Sequence, residues 1–154
     1  MNEQPQLFAM EQTDLTSDDY YTPSWVFDTL GLRFDLDVAS PPHSTNVPAD
    51  RYYSVLTDGL ASPWHGRVWM NPPYSNPTPW VEKFLEHGNG IALLPMPKGC
   101  RWLQTLWNSD ASLVMSQRIK FHHRGKMTEI SFPTAFWAIG ADNVEAIAKM
   151  GRPR

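Results

Sequence analysis

The sequence is short of several features that would assign it to a broad functional class. Its 154 residues include a single cysteine, Cys100, which excludes an internal disulfide and favours a cytoplasmic location. No apolar run approaches the roughly eighteen residues that a membrane span requires, and no signal-peptide pattern is visible. We therefore expect no membrane partner. No histidines and cysteines stand at metal-ligand spacing, so we expect no metal either.

The chain also lacks an excess of positive charge. Thirteen Lys and Arg against sixteen Asp and Glu give a net charge of −3, which argues against non-specific DNA binding by the whole surface. A local basic patch is still compatible with that total. With 42% apolar and 12% aromatic residues, global disorder is excluded. We expect residues 1–19, which are polar and aperiodic, to form a flexible arm and residues 20–154 to form one domain.

Helix-start and helix-stop signals alternate with short apolar runs along the domain. Thr22-Pro23 and Thr78-Pro79 each predict an N-cap followed by proline at the first helical position, and Gly31 and Gly88 predict the ends of those helices. Further helices are expected near 102–107 and 144–148, strands at 34–39, 67–70, 91–94, 111–115 and 132–139, and mostly loop over 40–60. This alternation predicts an α/β fold with a mostly parallel sheet, which binds ligands at the carboxyl ends of its strands.

The most informative segment is Asn71-Pro72-Pro73-Tyr74, which closes the apolar run 68–70. The Asn71 side chain and the Pro72 main chain each offer a carbonyl oxygen, and the prolines stiffen the loop and remove N–H donors. Two acceptors beside the flat ring of Tyr74 suit a planar nitrogen compound that carries an NH2 group. The alternative is an ordinary proline-rich turn, and the position at a predicted strand end favours the functional interpretation.

Three carboxylates precede this tetrapeptide. Asp35 and Asp37 alternate with apolar residues over 34–39, so we expect them to share one face of a strand, where they bind a polar ligand or form a solvated edge. Asp58 is followed by glycine, and Asp-Gly is a strong hairpin-turn signal. The other interpretation of Asp58 is a carboxylate that accepts a hydrogen bond from an adenine amine. By itself the local sequence favours the turn.

Basic residues are concentrated between positions 118 and 126, with Phe121 among them. This composition suits phosphate contacts together with stacking on bases, and a solvated hairpin is the alternative. Because the rest of the chain is acidic, we expect nucleic-acid contact here, through Arg118, Lys120, His122, His123, Arg124 and Lys126. The tryptophans are expected in the core, and Trp69 could wall a pocket although packing is the better interpretation.

Taken in order, these segments resemble the phage-type DNA N6-adenine methyltransferases, a family of small Dam-like enzymes. Tyr21-Thr22-Pro23 is similar to the element of that family that lies against the cofactor, and 34–39 to its cofactor strand, with Asp37 in the acidic position. Asp58-Gly59-Leu60 resembles the segment that contacts the cofactor adenine. Asn71-Pro72-Pro73-Tyr74 matches the whole catalytic motif Asp/Asn/Ser-Pro-Pro-Tyr/Phe/Trp, and Arg118 to Phe121 resembles a downstream signature of the phage branch.

The resemblance covers about 20–140 and implies a Rossmann-like, S-adenosylmethionine-dependent methyltransferase fold with an abridged central sheet. The implied reaction is methyl transfer from S-adenosylmethionine to the N6 amine of adenine in DNA, by a phage- or prophage-encoded enzyme in a bacterial host. The implied catalytic residues are Asn71, Pro72, Pro73 and Tyr74, and the implied cofactor residues are Thr22, Pro23, Asp35, Asp37, Ala39, Asp58 and Asn71. The glycine loop usual after the first strand of methyltransferases is missing, and no separate target-recognition domain is visible.

Two alternatives remain open at this stage. The same tetrapeptide serves enzymes that methylate glutamine amides in proteins or amines of RNA bases, because each substrate carries a planar NH2 group. The basic stretch favours a nucleic acid over a protein. The second alternative is a catalytically silent DNA-binding or host-interaction protein, which gives no chemical reason for Asn71 and Tyr74 to occur together.

Overall fold

The computed structural model of the chain describes residues 21–41, 46–97, 100–116, 119–123, 126–129 and 133–151. The arm expected at 1–19 lies outside these ranges. Helices and strands alternate along the described part, as the sequence predicts. In chain order they are α1 Ser24–Leu30, β1 Phe34–Asp37, β2 Ala49–Tyr52, β3 Val68–Met70, α2 Thr78–His87, β4 Gly90–Pro95, α3 Arg101–Trp107, β5 Ser112–Met115, β6 Lys120–His123, β7 Lys126–Glu129, β8 Thr134–Ile139 and α4 Ala141–Ala148.

Within the described residues, six of the strands form one sheet in the order β2-β1-β3-β4-β8-β5. Strand β1 pairs in parallel with β2 and β3, and β3 pairs in parallel with β4. Strand β8 is antiparallel to both of its neighbours, β4 and β5. The prediction of a mostly parallel sheet is therefore confirmed, and the carboxyl ends of β1 to β4 meet at one edge.

Helices cover both faces of this sheet, and each face has its own apolar cluster. The first cluster joins side chains of α1 and α4 to alternate residues of β3, β4 and β8, among them Phe27, Trp69 and Phe136. The second joins α2 and α3 to the intervening residues, among them Phe84 and Trp102. Alternation along a strand sends successive side chains to opposite faces, which explains why the apolar runs of β3 and β4 are buried throughout.

Strand β1 departs from the alternation expected over 34–39. Phe34 packs in the first cluster, whereas Leu36 and Val38 pack in the second. The amides of Asp35 and Leu36 both donate to the carbonyl oxygen of Arg67, at 2.8 and 3.4 Å. Two residues opposite one acceptor is the pattern of a bulge, which shifts the phase of the side chains that follow. The prediction of one continuous apolar face on this strand is therefore wrong.

Both threonine-proline signals mark helices, but neither threonine is the cap. Pro23 and Pro77 occupy the N-cap positions of α1 and α2, and neither cap has a side-chain hydrogen bond. The glycine stops are confirmed: Gly31 and Gly88 adopt φ of 69° and 80°, and each donates its amide to a carbonyl in the last turn of its helix. The shift of one residue at the start of α1 frees the Thr22 side chain for another contact.

The segment 40–60, expected to be mostly loop, contains strand β2. Among the described strands it pairs with β1 alone, and its residues after Ala49 are exposed. An exposed edge strand needs no apolar alternation, so the usual sequence signal for a strand is missing there. No helix within the described ranges is long and apolar enough to cross a membrane.

Candidate functional site

A cavity of about 350 Å³ lies at the carboxyl edge of the sheet. It is lined by Asp37 at the end of β1, by Ser54 and Val55 just after β2, and by Asn71 just after β3. Three neighbouring parallel strands thus deliver side chains to one place, as expected for ligand sites in open α/β sheets. The remaining lining residues come from 21–22, 38–41, 46–47, 58–59, Trp69, Pro73 and Trp80.

Asp37 is the buried acid of this cavity, and its side chain is 1% exposed. Its Oδ1 accepts a hydrogen bond from the Ala39 amide at 3.2 Å. Burial raises the pKa of Asp37 to about 7, since desolvation disfavours the charged carboxylate more than the Ala39 hydrogen bond favours it. A carboxylate in this setting is stabilised by a cationic partner, and the adjoining cavity has room for one.

Asn71 and Thr22 meet at the cavity although 49 residues separate them. Asn71 Nδ2 donates to Thr22 Oγ1 at 3.1 Å, and both residues line the cavity. The Thr22 carbonyl oxygen in turn accepts from Asn46 Nδ2 at 2.9 Å. With the amino group of Asn71 held by Thr22, its Oδ1 is the end of the amide that can receive a donor from a ligand.

The rest of the tetrapeptide is fixed against the sheet. Pro72 is buried, and Pro73 lines the cavity. The Tyr74 hydroxyl donates to the Leu93 carbonyl oxygen of β4 at 3.1 Å, and the ring packs against the second apolar cluster. Burial raises the pKa of Tyr74 above its ordinary value, so the phenol is neutral. Tyr74 does not line the cavity that Asp37 lines.

Asp58 lines the cavity from a tight turn rather than from a hairpin. The turn expected at Asp58 is therefore present, but it closes no hairpin, because β1 separates the strands before and after it, β2 and β3, in the sheet. Asp58 adopts φ of 52°, and its Oδ1 accepts from the Ala61 amide at 3.2 Å. Gly59 is packed so closely that a Cβ there would lie 2.0 Å from the Val38 carbonyl oxygen. Only glycine permits this approach of the turn to the end of β1.

Two of the residues expected to contact a cofactor lie elsewhere. Asp35 is not among the residues that line the cavity; its Oδ2 accepts from the Arg67 amide at 2.7 Å, before the start of β3. That position is at the amino end of the strand, because β1 and β3 are parallel. Pro23 serves as the N-cap of α1 and also does not line the cavity. Thr22, Asp37, Ala39, Asp58 and Asn71 are brought together as expected.

Several lining residues were not expected from the sequence. Ser54 and Val55 follow the unpredicted strand β2, and Val55 is 79% exposed at the cavity wall. Trp80 lies in the helix predicted between Thr78-Pro79 and Gly88, and Asn46 lies in the segment that was expected to be loop. A prediction of β2 would have identified 54–55 as a strand end. Trp69 both packs in the core and lines the cavity, so both interpretations of it are confirmed.

The basic stretch forms a hairpin of β6 and β7 outside the main sheet. Ile119 and Phe121 are 2% and 1% exposed and pack in the first apolar cluster, whereas Lys120 between them is exposed. Phe121 is therefore unavailable for stacking on bases, and that expectation is wrong. His122, His123 and Lys126 lie in the two strands, and Arg118 and Arg124 lie outside the described residues.

Metal ligands do not converge anywhere in the described part of the chain. No group of three or more His, Cys, Asp or Glu side chains lies close enough to hold an ion. Cys100, which precedes α3, is a free thiol.

Two phage proteins of known name are similar to this chain. An Haemophilus phage HP1 (strain HP1c1) protein named DNA N-6-adenine-methyltransferase is 34% identical over 112 residues, which cover 65% of this chain and 64% of that protein. An Escherichia phage T1 protein of the same name is 33% identical over 110 residues, covering 66% of this chain and 45% of that protein. The chain thus spans less than two thirds of the length of either relative.

A solved structure of a Pyrococcus horikoshii protein, titled a putative RNA methyltransferase, aligns with a TM-score of 0.41 at 13% identity, over 60% of this chain and 52% of that one. The family model for DNA N-6-adenine-methyltransferase (Dam) matches residues 10–143, which include every lining residue of the cavity. The resemblance drawn from the order of the sequence segments is confirmed, and the chain belongs to the DNA N-6-adenine-methyltransferase (Dam) family.

Proposed function

We propose that this chain transfers a methyl group from S-adenosylmethionine to the N6 amine of adenine in DNA. The observation that carries the proposal is the position of Asn71, which begins the Asn-Pro-Pro-Tyr tetrapeptide and shares one cavity with Asp37 and Asp58. The reaction needs an acceptor for a planar amine beside a binding site for a charged nucleoside. The names of the two phage relatives support adenine in DNA as the target.

The residues of the cavity fit S-adenosylmethionine. The volume of the cavity lies within the range of small-molecule sites, and the cavity walls combine apolar surface with a few convergent polar groups. Buried Asp37 would hold the amino group of the cofactor, and the charge of that group would compensate the cost of burying the carboxylate. Asp58 would accept from the adenosine, with Thr22 and Ala39 at the walls. When bound, the cofactor supplies an activated methyl group on a sulfonium.

Asn71 and Pro72 would act on the target amine. The N6 lone pair of adenine is delocalised into its ring, which makes it a poor nucleophile. Hydrogen bonds from N6 to Asn71 Oδ1 and the Pro72 carbonyl oxygen would favour a pyramidal nitrogen and stabilise the positive charge that develops on it. Direct transfer would need no covalent enzyme intermediate: N6 would bond the methyl as the sulfonium S–CH3 bond breaks, S-adenosylhomocysteine would leave, and N6 would then lose one proton to solvent.

Tyr74 would stack on the target adenine. Its hydroxyl is held by Leu93 of β4, so the ring has a fixed orientation, and it does not line the cavity assigned to the cofactor. Tyr74 is half-buried against the second apolar cluster, and the part of its ring that stays exposed would meet the second substrate. A base inside a duplex cannot reach such a site, so the target must be flipped out or presented in a single strand.

The basic hairpin would contact the nucleic-acid backbone. Lys120 is exposed on the outer face of β6, opposite the side on which Phe121 anchors the hairpin to the core. Arg118, His122, His123, Arg124 and Lys126 belong to the same proposal through their positions in the sequence. Contacts of this kind supply affinity without sequence information.

Asn71→Ala tests the proposed chemistry. We expect loss of methyl transfer with unchanged affinity for S-adenosylhomocysteine, because the acceptor is removed and the carboxylates remain. The assay is transfer of labelled methyl from S-adenosylmethionine to plasmid DNA, with RNA and protein compared in parallel, and calorimetry for binding. Asn76→Ala, an exposed asparagine of the same loop, is the matched control.

Three outcomes would contradict the proposal. Full activity of Asn71→Ala would exclude the role given to its side chain. Label in RNA or protein rather than DNA would change the substrate class. Failure of the wild-type chain to bind S-adenosylmethionine would favour a catalytically silent DNA-binding protein. Mapping of modified bases in DNA from cells that express the chain would identify the target sequence.

A further inference from the structure

The hydrogen bond between Thr22 and Asn71 suggests a role for Thr22 beyond lining the cavity. The bond joins the residue before α1 to the residue after β3, at 3.1 Å. Thr22 is 6% exposed, and its backbone carbonyl oxygen is held by Asn46 Nδ2 at 2.9 Å. The position of the Thr22 hydroxyl is therefore determined by contacts from two other parts of the chain.

This hydroxyl is not used where the sequence would place it. A threonine before proline at a helix start is expected to cap the helix, yet Pro23 is the N-cap of α1 and that cap has no side-chain hydrogen bond. The hydroxyl instead faces Asn71 across the cavity wall. A helix of seven residues without a side-chain cap suggests that the hydroxyl serves the site rather than the helix.

An asparagine amide has a donor end and an acceptor end, and a half-turn of the side chain exchanges them. A target amine needs the acceptor end, and the donor end would oppose it. We propose that Thr22 is a positioning residue that accepts from Asn71 Nδ2 and thereby directs Asn71 Oδ1 toward the target amine. The inference rests on the proposed function for the identity of that amine, and on the hydrogen bond itself for the orientation of the amide.

Three variants separate this role from packing. Thr22→Val keeps the shape of the side chain and removes the hydroxyl, whereas Thr22→Ser keeps the hydroxyl. Thr105→Val is the matched control, because the Thr105 hydroxyl donates to Arg101 within α3 and the residue is exposed away from the cavity. The comparison of valine with serine at position 22 distinguishes loss of the hydroxyl from loss of fit.

The first measurement does not depend on activity. The side-chain amide of Asn71 is followed by ¹⁵N NMR in the full chain, with its resonances assigned by their loss in Asn71→Ala. We expect Thr22→Val to move these resonances and speed their exchange with solvent, Thr22→Ser to restore them, and Thr105→Val to leave them in place. Unmoved resonances in Thr22→Val would overturn the inference, whichever substrate the enzyme uses.

The second measurement is steady-state methylation of DNA. Loss of one hydrogen bond that orients a reacting group should lower kcat about tenfold. The KM for S-adenosylmethionine should change less than about twofold, and Thr22→Ser should recover most of kcat. An unchanged kcat in Thr22→Val, or equal losses in both variants, would overturn the inference. A wild-type chain that does not methylate DNA would contradict the proposed function, and the NMR result would still decide the role of Thr22.

Discussion

At the scale of single residues, the surroundings of Asp37 change the pKa of its carboxyl group. Its pKa is raised to about 7 from an ordinary 3.8 because the carboxyl is buried at the end of β1. The ligand-free protein therefore holds this proton at pH values where the unfolded chain has lost it. A bound cation would reverse that preference, since an opposite charge nearby favours the ionised carboxylate.

Asp37→Asn should change how the stability of the ligand-free protein depends on pH. The folded-state pKa lies above the unfolded-state value, so Asp37 is neutral in both states below about pH 4 and adds no penalty there. As pH rises from about 4 to about 7, the unfolded state loses its proton first, and the free energy of unfolding falls, by a few kcal/mol in total.

Urea unfolding at intervals between pH 4 and pH 8 measures this slope. We expect Asp37→Asn to flatten it and Asp110→Asn, a change at an exposed residue, to leave it unchanged. The same slope in Asp37→Asn as in the wild-type protein would show that the burial of this carboxyl does not govern the pH dependence.

At the scale of elements, the turn that carries Asp58 is held by helix α2. Lys83 Nζ donates to the carbonyl oxygens of Leu60 and Ser62, at 2.7 and 2.6 Å, and lies 5.2 Å from the centre of the Trp64 ring. Trp64 Nε1 donates to the Gly59 carbonyl oxygen at 2.8 Å. The ammonium group of Lys83 on α2 thus holds the irregular segment that follows Asp58 and forms one wall of the cavity.

Lys83→Met should loosen this wall while it keeps the aliphatic part of the side chain. Two charge-assisted hydrogen bonds and a cation–π contact are lost, so we expect roughly tenfold weaker binding of S-adenosylhomocysteine. Calorimetry measures the affinity, and Lys149→Met, an exposed lysine on the last turn after α4, is the control. Equal affinities of Lys83→Met and wild type would mean that the turn keeps its conformation without Lys83.

The hairpin of β6 and β7 leads to a separate prediction, about DNA binding. Ile119 and Phe121 anchor it in the core, and Lys120 faces outward between them. Lys120→Ala should weaken DNA binding about equally for all sequences, because a phosphate contact carries no base information.

The expected signature is a salt dependence of DNA binding that is flatter by about one unit in a plot of log affinity against log salt. Fluorescence anisotropy at several salt concentrations measures it, with Lys149→Ala as the control for removal of a positive charge. An unchanged slope would assign Lys120 to the solvated surface of a structural hairpin.

At the scale of the whole molecule, the cavity and the core are continuous. Trp69 lies within 4.8 and 5.6 Å, ring centre to ring centre, of Phe27 and Phe34 in the first apolar cluster, and it also lines the cavity. A ligand that fills the cavity therefore contacts side chains that hold α1 on the sheet. Binding to the folded state alone stabilises that state by mass action.

S-adenosylhomocysteine at about one hundred times its Kd should stabilise the protein by about 2.7 kcal/mol. For a chain of this size that corresponds to a rise in Tm of roughly 5–10 °C. Thermal unfolding followed by tryptophan fluorescence measures the rise. ATP is the control ligand, because its phosphates would meet Asp37 and Asp58, and a comparable rise with ATP would contradict the assignment of these carboxylates.

Much of the fold was predictable because its signals are local. Glycines in left-handed conformations end α1 and α2, and the apolar runs of β3 and β4 are buried as their composition requires. Strand β2 was not predictable, since β1 is its one partner in the described part of the chain and its side chains are mostly exposed. The bulge in β1 depends on hydrogen bonds to Arg67, which is 32 residues after Asp35, and no local pattern predicts it.

For the site, the sequence alone determined the chemistry of the tetrapeptide, since an amide oxygen, two prolines and an aromatic ring are covalent facts of residues 71–74. It also offered Asp35, Asp37 and Asp58 as candidate ligand carboxylates, with a turn as the alternative for Asp58. Only the tertiary structure decided that Asp37 and not Asp35 reaches the cavity, that Phe121 is buried, and that Thr22 holds Asn71. Those outcomes depend on strand register, a bulge and a contact across 49 residues, which exist only after the chain has packed.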